Sequence, residues 1–339
     1  MRSVIVLGAL LVAAFVIGTA VSPGSQVPDD VLRFQDPRIV ESSGLVVDGD
    51  LFVTTNDSGD TGRIFAVDGE GRTVGVTTWT DAPEDVEALA PAAPGEVWVG
   101  DIGDNAAARD AITVARVPVG AGDRTVEPAT YDLVYPDGPH DAEALLAHPS
   151  TGRLYVVSKV VFGGTVYAAP RRMDPERPNR LTEVGPVGGI VTDGTFMPDG
   201  RHLVLRTYDR AVVYSFPDLE AVAEMRLPKQ RQGEGIAVDA DGELYVSSEG
   251  VRAPLLRLTP PDDVRDVLAG VVPEAQPSAS QAPTPSTGAS SSSSDSPAGD
   301  RPPEAPRQEA KPDVMSWLAG FGVLGLIVVV LLLALRRPR

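Results

Sequence analysis

Five short segments, each led by a carboxylate, constrain this chain more than any other feature. They are Glu41-Ser42-Ser43-Gly44-Leu45, Glu87-Ala88-Leu89-Ala90, Glu143-Ala144-Leu145-Leu146, Asp193-Gly194-Thr195-Phe196 and Glu234-Gly235-Ile236-Ala237. Each runs from an acid through small residues to apolar ones. Each is followed by a polar turn and a stronger strand pattern, such as Leu51-Phe52-Val53-Thr54-Thr55 or Val97-Trp98-Val99-Gly100-Asp101. The acids recur at spacings of 46, 56, 50 and 41 residues. A strand-rich repeat of this period predicts a β-propeller, whose blades pack radially with the first strand of each lining a central channel. One residue type at one place in every blade then becomes a ring.

The expected fold is all-β: one propeller of five four-stranded blades over residues 31–268. Six blades is the alternative, because the second repeat is long enough to hold divergent strands, and a β-sandwich is the other. The outer strands read as Arg63–Val67 and Thr73–Thr78 in the first repeat, Ala111–Val117 and Tyr131–Tyr135 in the second, and Gly164–Ala168 and Leu181–Val184 in the third. The fourth has Ala211–Phe216 and Ala223–Leu227. The fifth ends at Pro254–Leu258 and lacks an outer strand, while Val31-Leu32-Arg33-Phe34 belongs to no repeat. Pairing these two would close the ring and remove its exposed sheet edges.

The ends point to a membrane. Residues 1–20 read as a signal peptide, with Arg2, an apolar run from Val4 to Ile17 and the small residues Gly18-Thr19-Ala20. Residues 317–335 are nearly all apolar, long enough for a transmembrane helix across a hydrocarbon core of about 30 Å. The basic stub 336–339 carries Arg336, Arg337 and Arg339, which places the C-terminus in the cytoplasm and the propeller outside the cell. Residues 269–312, rich in Ser, Pro and Ala, form a disordered stalk between the two. The chain is expected to be a single-pass cell-membrane protein, anchored by its C-terminal helix, and a monomer. A net charge of −18 disfavours nucleic acid as a partner, and the absence of cysteine excludes disulfides, thiolate nucleophiles and thiolate metal sites.

The second strands end in polar clusters: Asn56-Asp57-Ser58, Asp101 to Asn105, Ser158-Lys159, Arg206-Thr207-Tyr208 and Ser247-Ser248-Glu249. Antiparallel pairing returns each end to the start of its first strand, at one mouth of the channel. Crowded carboxylates must be protonated, paired with Arg206 or Lys159, or bridged by cations. Hard oxygen donors at this density suit Ca²⁺, or Mg²⁺. The candidate ligands are Glu41, Asp57, Glu87, Asp101, Glu143, Asp193, Glu234 and Glu249; the alternative is that each acid caps its own turn. Candidates for chemistry are Glu143, Arg206, Lys159 and His140. The expected role is binding of an extracellular ligand or protein partner at this mouth, and the alternative is a metal-dependent phosphoester or ester hydrolase.

Several motifs, Asp141-Ala142-Glu143-Ala144, Gln232-Gly233-Glu234-Gly235-Ile236-Ala237, Asn56-Asp57-Ser58-Gly59 and Thr192-Asp193-Gly194, resemble those of secreted bacterial propellers of the phytase-like and phytase-esterase-like families. The similarity spans roughly residues 31–258. It implies several Ca²⁺ ions at channel-mouth carboxylates and hydrolysis of phosphate esters, with Glu143 and Glu234 matching the acidic motif best. Two departures stand beside it: those enzymes have six blades, and their lysine-rich phosphate pocket is represented here only by Lys159 and Arg206.

Overall fold

The computed structural model describes residues 28–57, 59–161 and 163–270. The expected signal segment, the stalk beyond residue 270, the apolar run 317–335 and the basic stub lie outside the described residues. Among the described residues no helix is long and apolar enough to cross a membrane.

Five sheets form a five-bladed β-propeller. Strand β1 (Asp29–Arg33) opens the described chain. Blade one contains β2 (Ser42–Asp48), β3 (Leu51–Asn56), β4 (Arg63–Val67) and β5 (Thr73–Trp79). Blade two contains β6 (Val86–Pro91), β7 (Glu96–Asp101), β8 (Ile112–Pro118) and β10 (Ala129–Val134). Between β8 and β10, the short β9 (Arg124–Val126) crosses back to run parallel to β5. Blade three contains β11 (Ala142–Ala147), β12 (Leu154–Ser158), β13 (Gly164–Ala168) and β15 (Thr182–Val187). Its β14 (Asn179–Arg180) pairs parallel with β10 of the preceding blade. Blade four contains β16 (Asp193–Phe196), β17 (His202–Arg206), β18 (Arg210–Ser215) and β19 (Ala221–Arg226). In blade five, β20 (Gly233–Val238), β21 (Leu244–Ser248) and β22 (Pro254–Arg257) are joined at the edge by β1, which pairs antiparallel with β22. The extra length of the second repeat goes into β9 and the loops around it, so no sixth blade arises. Helix α1 (Asp262–Leu268), not anticipated from the Pro260-Pro261 break, follows the last blade and buries Val264.

The core is divided into five apolar wedges, each between neighbouring blades. Leu145, Val156 and Tyr167 of blade three meet Ala88, Ile112 and Val114 of blade two. Val46, Val53 and Ile64 of blade one meet Leu89, Val97 and Val99. Because both faces of a blade are covered, the inner strands read as almost continuous buried runs rather than as alternating ones. Leu145 is fully buried in its wedge. Leu145→Ala is expected to cost about 2–5 kcal/mol in denaturant unfolding, because neighbouring blades cannot collapse into the space.

Turn chemistry at the far ends sets the hairpins. The Asp199 carboxylate accepts the backbone N–H of Arg201 and His202, and that of Asp239 accepts those of Asp241 and Glu243. Each aspartate thereby substitutes a side-chain oxygen for a missing ladder bond.

Candidate functional site at the channel mouth

Hairpin pairing returns the end of every second strand to the start of its first. Ser42 lies opposite Asn56, Val86 opposite Asp101, Ala142 opposite Ser158, Asp193 opposite Arg206 and Gly233 opposite Ser248. Just beyond, the carbonyls of Glu41, Asp85, Asp141 and Gln232 accept the N–H groups of Asp57, Gly103, Lys159 and Glu249. These bonds align the blades and define equivalent positions. The first tier is Glu41, Asp85, Asp141 and Gln232. Two residues on, and so on the same strand face, come Ser43, Glu87, Glu143 and Glu234. The opposing loops contribute Asp57, Gly103, Lys159 and Glu249.

Glu41 therefore belongs to the outer tier, and Ser43 holds the place that its repeat suggested for an acid. The shift is invisible in the acid spacing, because blade one carries its carboxylate two residues early. In four blades the ladder slips at the inner position: between Ser42 and Leu45, Val86 and Ala88, Ala142 and Ala144, and Gly233 and Ile236. A bulge re-aims the residue it carries, which is how Glu87, Glu143 and Glu234 sit within strands yet share one mouth.

Asp57, Asp85 and Glu87 each bring a carboxylate oxygen within 4.8 Å of the others. Asp85 lies outside the five carboxylate-led segments, although its i, i+2 relation to Glu87 is a legible signal. Gly103 makes the approach possible: a Cβ there would lie 2.3 Å from Asp85 Oδ2 and 2.8 Å from Glu87 Oε1. Asp85 Oδ1 is buried with no hydrogen-bond partner among the described residues. Asp101 supports this corner from behind. Its Oδ1 accepts Asp85 N–H at 2.9 Å and Arg109 Nη1 at 2.9 Å, and its Oδ2 accepts Glu84 N–H at 2.9 Å. It positions the loop and has little left to offer a cation.

Burial dominates the electrostatics. Glu87, 4% exposed, is pushed up to about 10 by burial, then by the charges of Glu143, Asp57 and Asp85. Burial, then Asp57, Asp141 and Asp101, raises Asp85. Glu143 is lifted by burial to about 7, against the pull of Lys159, its ion-pair partner. Although burial opposes its charge, Lys159 is raised by that pair and stays protonated. Glu234 rises to about 8 through burial and the nearby Glu143, with Arg206 opposing, and its Oε2 is buried without a hydrogen-bond partner among the described residues. Glu249 is raised by burial, Glu41 and Asp57, and forms an isolated β-bridge with Glu41.

Blade four departs from the others. Asp193 is fully buried, and its carboxylate accepts Gly194 N–H at 2.7 Å and Ile236 N–H at 2.8 Å, tying blade four to blade five. Burial raises it well above the ordinary carboxylate range. Arg206 is also fully buried. It donates to the carbonyls of Gly235 and Ser247 and to Gln230 Oε1, and burial depresses it to about 10. His140 stands apart from the ring. It stacks on Tyr167, and its Nε2 lies 3.1 Å from both the Tyr167 hydroxyl and Asp137 Oδ2.

No family model matches the chain, and no curated protein matches it. The resemblance to phytase-like propellers thus stands on the quoted motifs alone, and the reading of function rests on the mouth itself.

Gly103→Ala gives a local test of that corner. It is expected to leave unfolding nearly cooperative as before while spreading Asp85 and Glu87 apart. If the corner holds a cation, its affinity measured by calorimetry should fall by about tenfold or more, since disturbing the shell that positions metal ligands costs roughly 10–100-fold.

Proposed function

We propose that the chain is a membrane-anchored extracellular propeller that binds its ligand at the acidic mouth, with Ca²⁺ held by Asp57, Asp85 and Glu87. One observation carries the reading: three carboxylates converge within 4.8 Å. Like charges this close do not all ionise unaided. A divalent cation relieves the repulsion, and an all-oxygen corner suits a hard ion. Ca²⁺ fits better than Mg²⁺, because it tolerates irregular geometry and completes its shell with carbonyls and water. The orphaned Asp85 Oδ1 is a donor available to it. Of the other candidate ligands, Asp101 and Asp193 are bound to backbone N–H groups and Glu143 to Lys159. Titration of the chelator-treated full chain with Ca²⁺ and separately with Mg²⁺ tests the assignment. Heat from neither ion, or binding unchanged in Asp57→Asn, removes it.

The hydrolase reading has weaker support. Its two cations for clamping a phosphate would be Lys159 and Arg206, and both are committed, one to Glu143 and one to buried carbonyls. With phytate or simple esters and Ca²⁺ present, no turnover is expected. Turnover that vanishes in Glu143→Gln would replace the binding reading.

A further inference from the structure

The acidic mouth is not surrounded by polar residues alone. Of the large hydrophobic side chains exposed among the described residues, Val40, Val160, Val161, Tyr208 and Val251 all sit on loops at the mouth, and Val222 alone lies elsewhere. Two of them also line a groove. A cavity of about 450 Å³ opens between blades three and four, bounded by Val161, Gly188, Gly189, Ile190, Tyr208 and Tyr214. Val161 is 68% exposed and Tyr208 44% exposed, and exposed apolar side chains gathered at one groove, rather than scattered singly, mark an interaction surface. The groove is walled in part by Gly188 and Gly189, which add no side chains to narrow it.

Tyr208 joins groove and mouth. Its ring lines the cavity, and its phenol lies within electrostatic reach of Glu234, Lys159, Glu143 and Glu249. Glu234 Oε2 and Gln230 Nε2 are buried without hydrogen-bond partners among the described residues. An aromatic face beside carboxylates is the chemistry that recognises an ammonium or guanidinium group. The groove leading to it has apolar walls at Val161, Ile190 and Tyr214, which select a hydrophobic neighbour on the same chain, and its lining also holds Arg210, paired with Asp209 and Glu224.

We propose that the groove between blades three and four docks an extended protein segment, seating an apolar side chain against Val161 and Tyr214 and directing an adjacent lysine or arginine across Tyr208 towards Glu234 and Glu249. The inference rests on the mouth being a binding site, and it does not require the Ca²⁺ corner at Asp57, Asp85 and Glu87.

The test is selection of random linear heptapeptides on the immobilised full chain, with Ca²⁺ and with chelator, followed by titration of the strongest synthetic peptide. Enrichment of Lys or Arg next to Leu, Ile, Val or Phe is expected. Tyr208→Ala, Glu249→Gln and Val161→Asp should each weaken that peptide about tenfold or more, and Val222→Asp should not. These side chains are partly or largely exposed, so the variants are expected to fold. Selected peptides without a basic residue, no enrichment at all, or equal affinity in Tyr208→Ala and the parent would overturn the proposal. Peptide binding that persists while Ca²⁺ gives no heat would sink the metal assignment and leave the docking groove standing; Ca²⁺ binding without basic peptides would do the reverse.

Discussion

Calcium added to the chelator-stripped chain is expected to raise its unfolding temperature and to release protons as it binds. The sign follows from Glu87. Its folded pKa, about 10, lies far above that of an unfolded glutamate, about 4.3. Between those values the folded protein holds a proton that the unfolded chain has lost, so metal-free stability declines as pH rises through that window. Glu234, at about 8, and Glu143, at about 7, add to the decline over narrower ranges. A cation held at Asp57, Asp85 and Glu87, as proposed, would replace the proton on Glu87. Binding therefore tightens with pH, and the stability loss between about pH 6 and pH 9 flattens when Ca²⁺ is present. At a hundredfold excess over Kd the stabilisation is about 2.7 kcal/mol. Glu87→Gln keeps the shape and removes both charge and titration. Its metal-free stability should vary less with pH than the parent's, and its Ca²⁺ affinity should drop by about a hundredfold. Calorimetric scans across that pH range, with chelator and with Ca²⁺, read all of this together. Metal-free stability that climbs steadily from neutral to alkaline pH would contradict the account.

Arg206→Ala is expected to destabilise the propeller by about 3–5 kcal/mol, the usual cost of removing one partner from a buried charged network. The guanidinium serves two carbonyls of blade five and the Gln230 amide from a strand of blade four. Without it, the buried Asp193 and Glu234 also lose the positive charge that favours their ionisation. Arg206→Lys should recover little, because a single ammonium cannot reach partners spread across a planar fork. The same spot predicts the outcome of Gly233→Ala. A Cβ at 233 would lie 1.9 Å from Arg206 Nη2, so the methyl group and the buried guanidinium compete for one volume. Urea unfolding monitored by the intrinsic tryptophans measures both variants. An Arg206→Ala protein within 1 kcal/mol of the parent would show that the blade four–blade five seam does not depend on this residue.

The repeat of carboxylate, small and apolar residues was enough to read an all-β propeller and its five blades, because hydrophobic period and turn chemistry are local properties. It also brought the right strand ends to one mouth, since antiparallel pairing leaves no other place for them. Asp85 precedes Glu87 by two residues but falls outside the repeated carboxylate–small–apolar pattern, and Gly103 has no side chain for a sequence pattern to register. Glu41 was aligned with the ring acids because an acid at nearly the right spacing looks the same as one in register. Its true place depends on which carbonyl meets the Asp57 N–H, and that contact is between strands. Arg206 and Lys159 both looked available to a ligand, yet one is fully buried and the other is paired.

Sequence alone determined the strand-rich repeat and the acidity of the channel mouth, both of which are set by residue order and composition along a short stretch of chain. Tertiary structure alone decided which carboxylates meet at Asp57, Asp85 and Glu87, which acids are spent on backbone N–H groups, and that Tyr208 and Val161 face a groove. The physical reason is that bulges and inter-blade packing redirect side chains by a residue or less, a shift that no spacing records but that decides whether two charges lie in contact or apart.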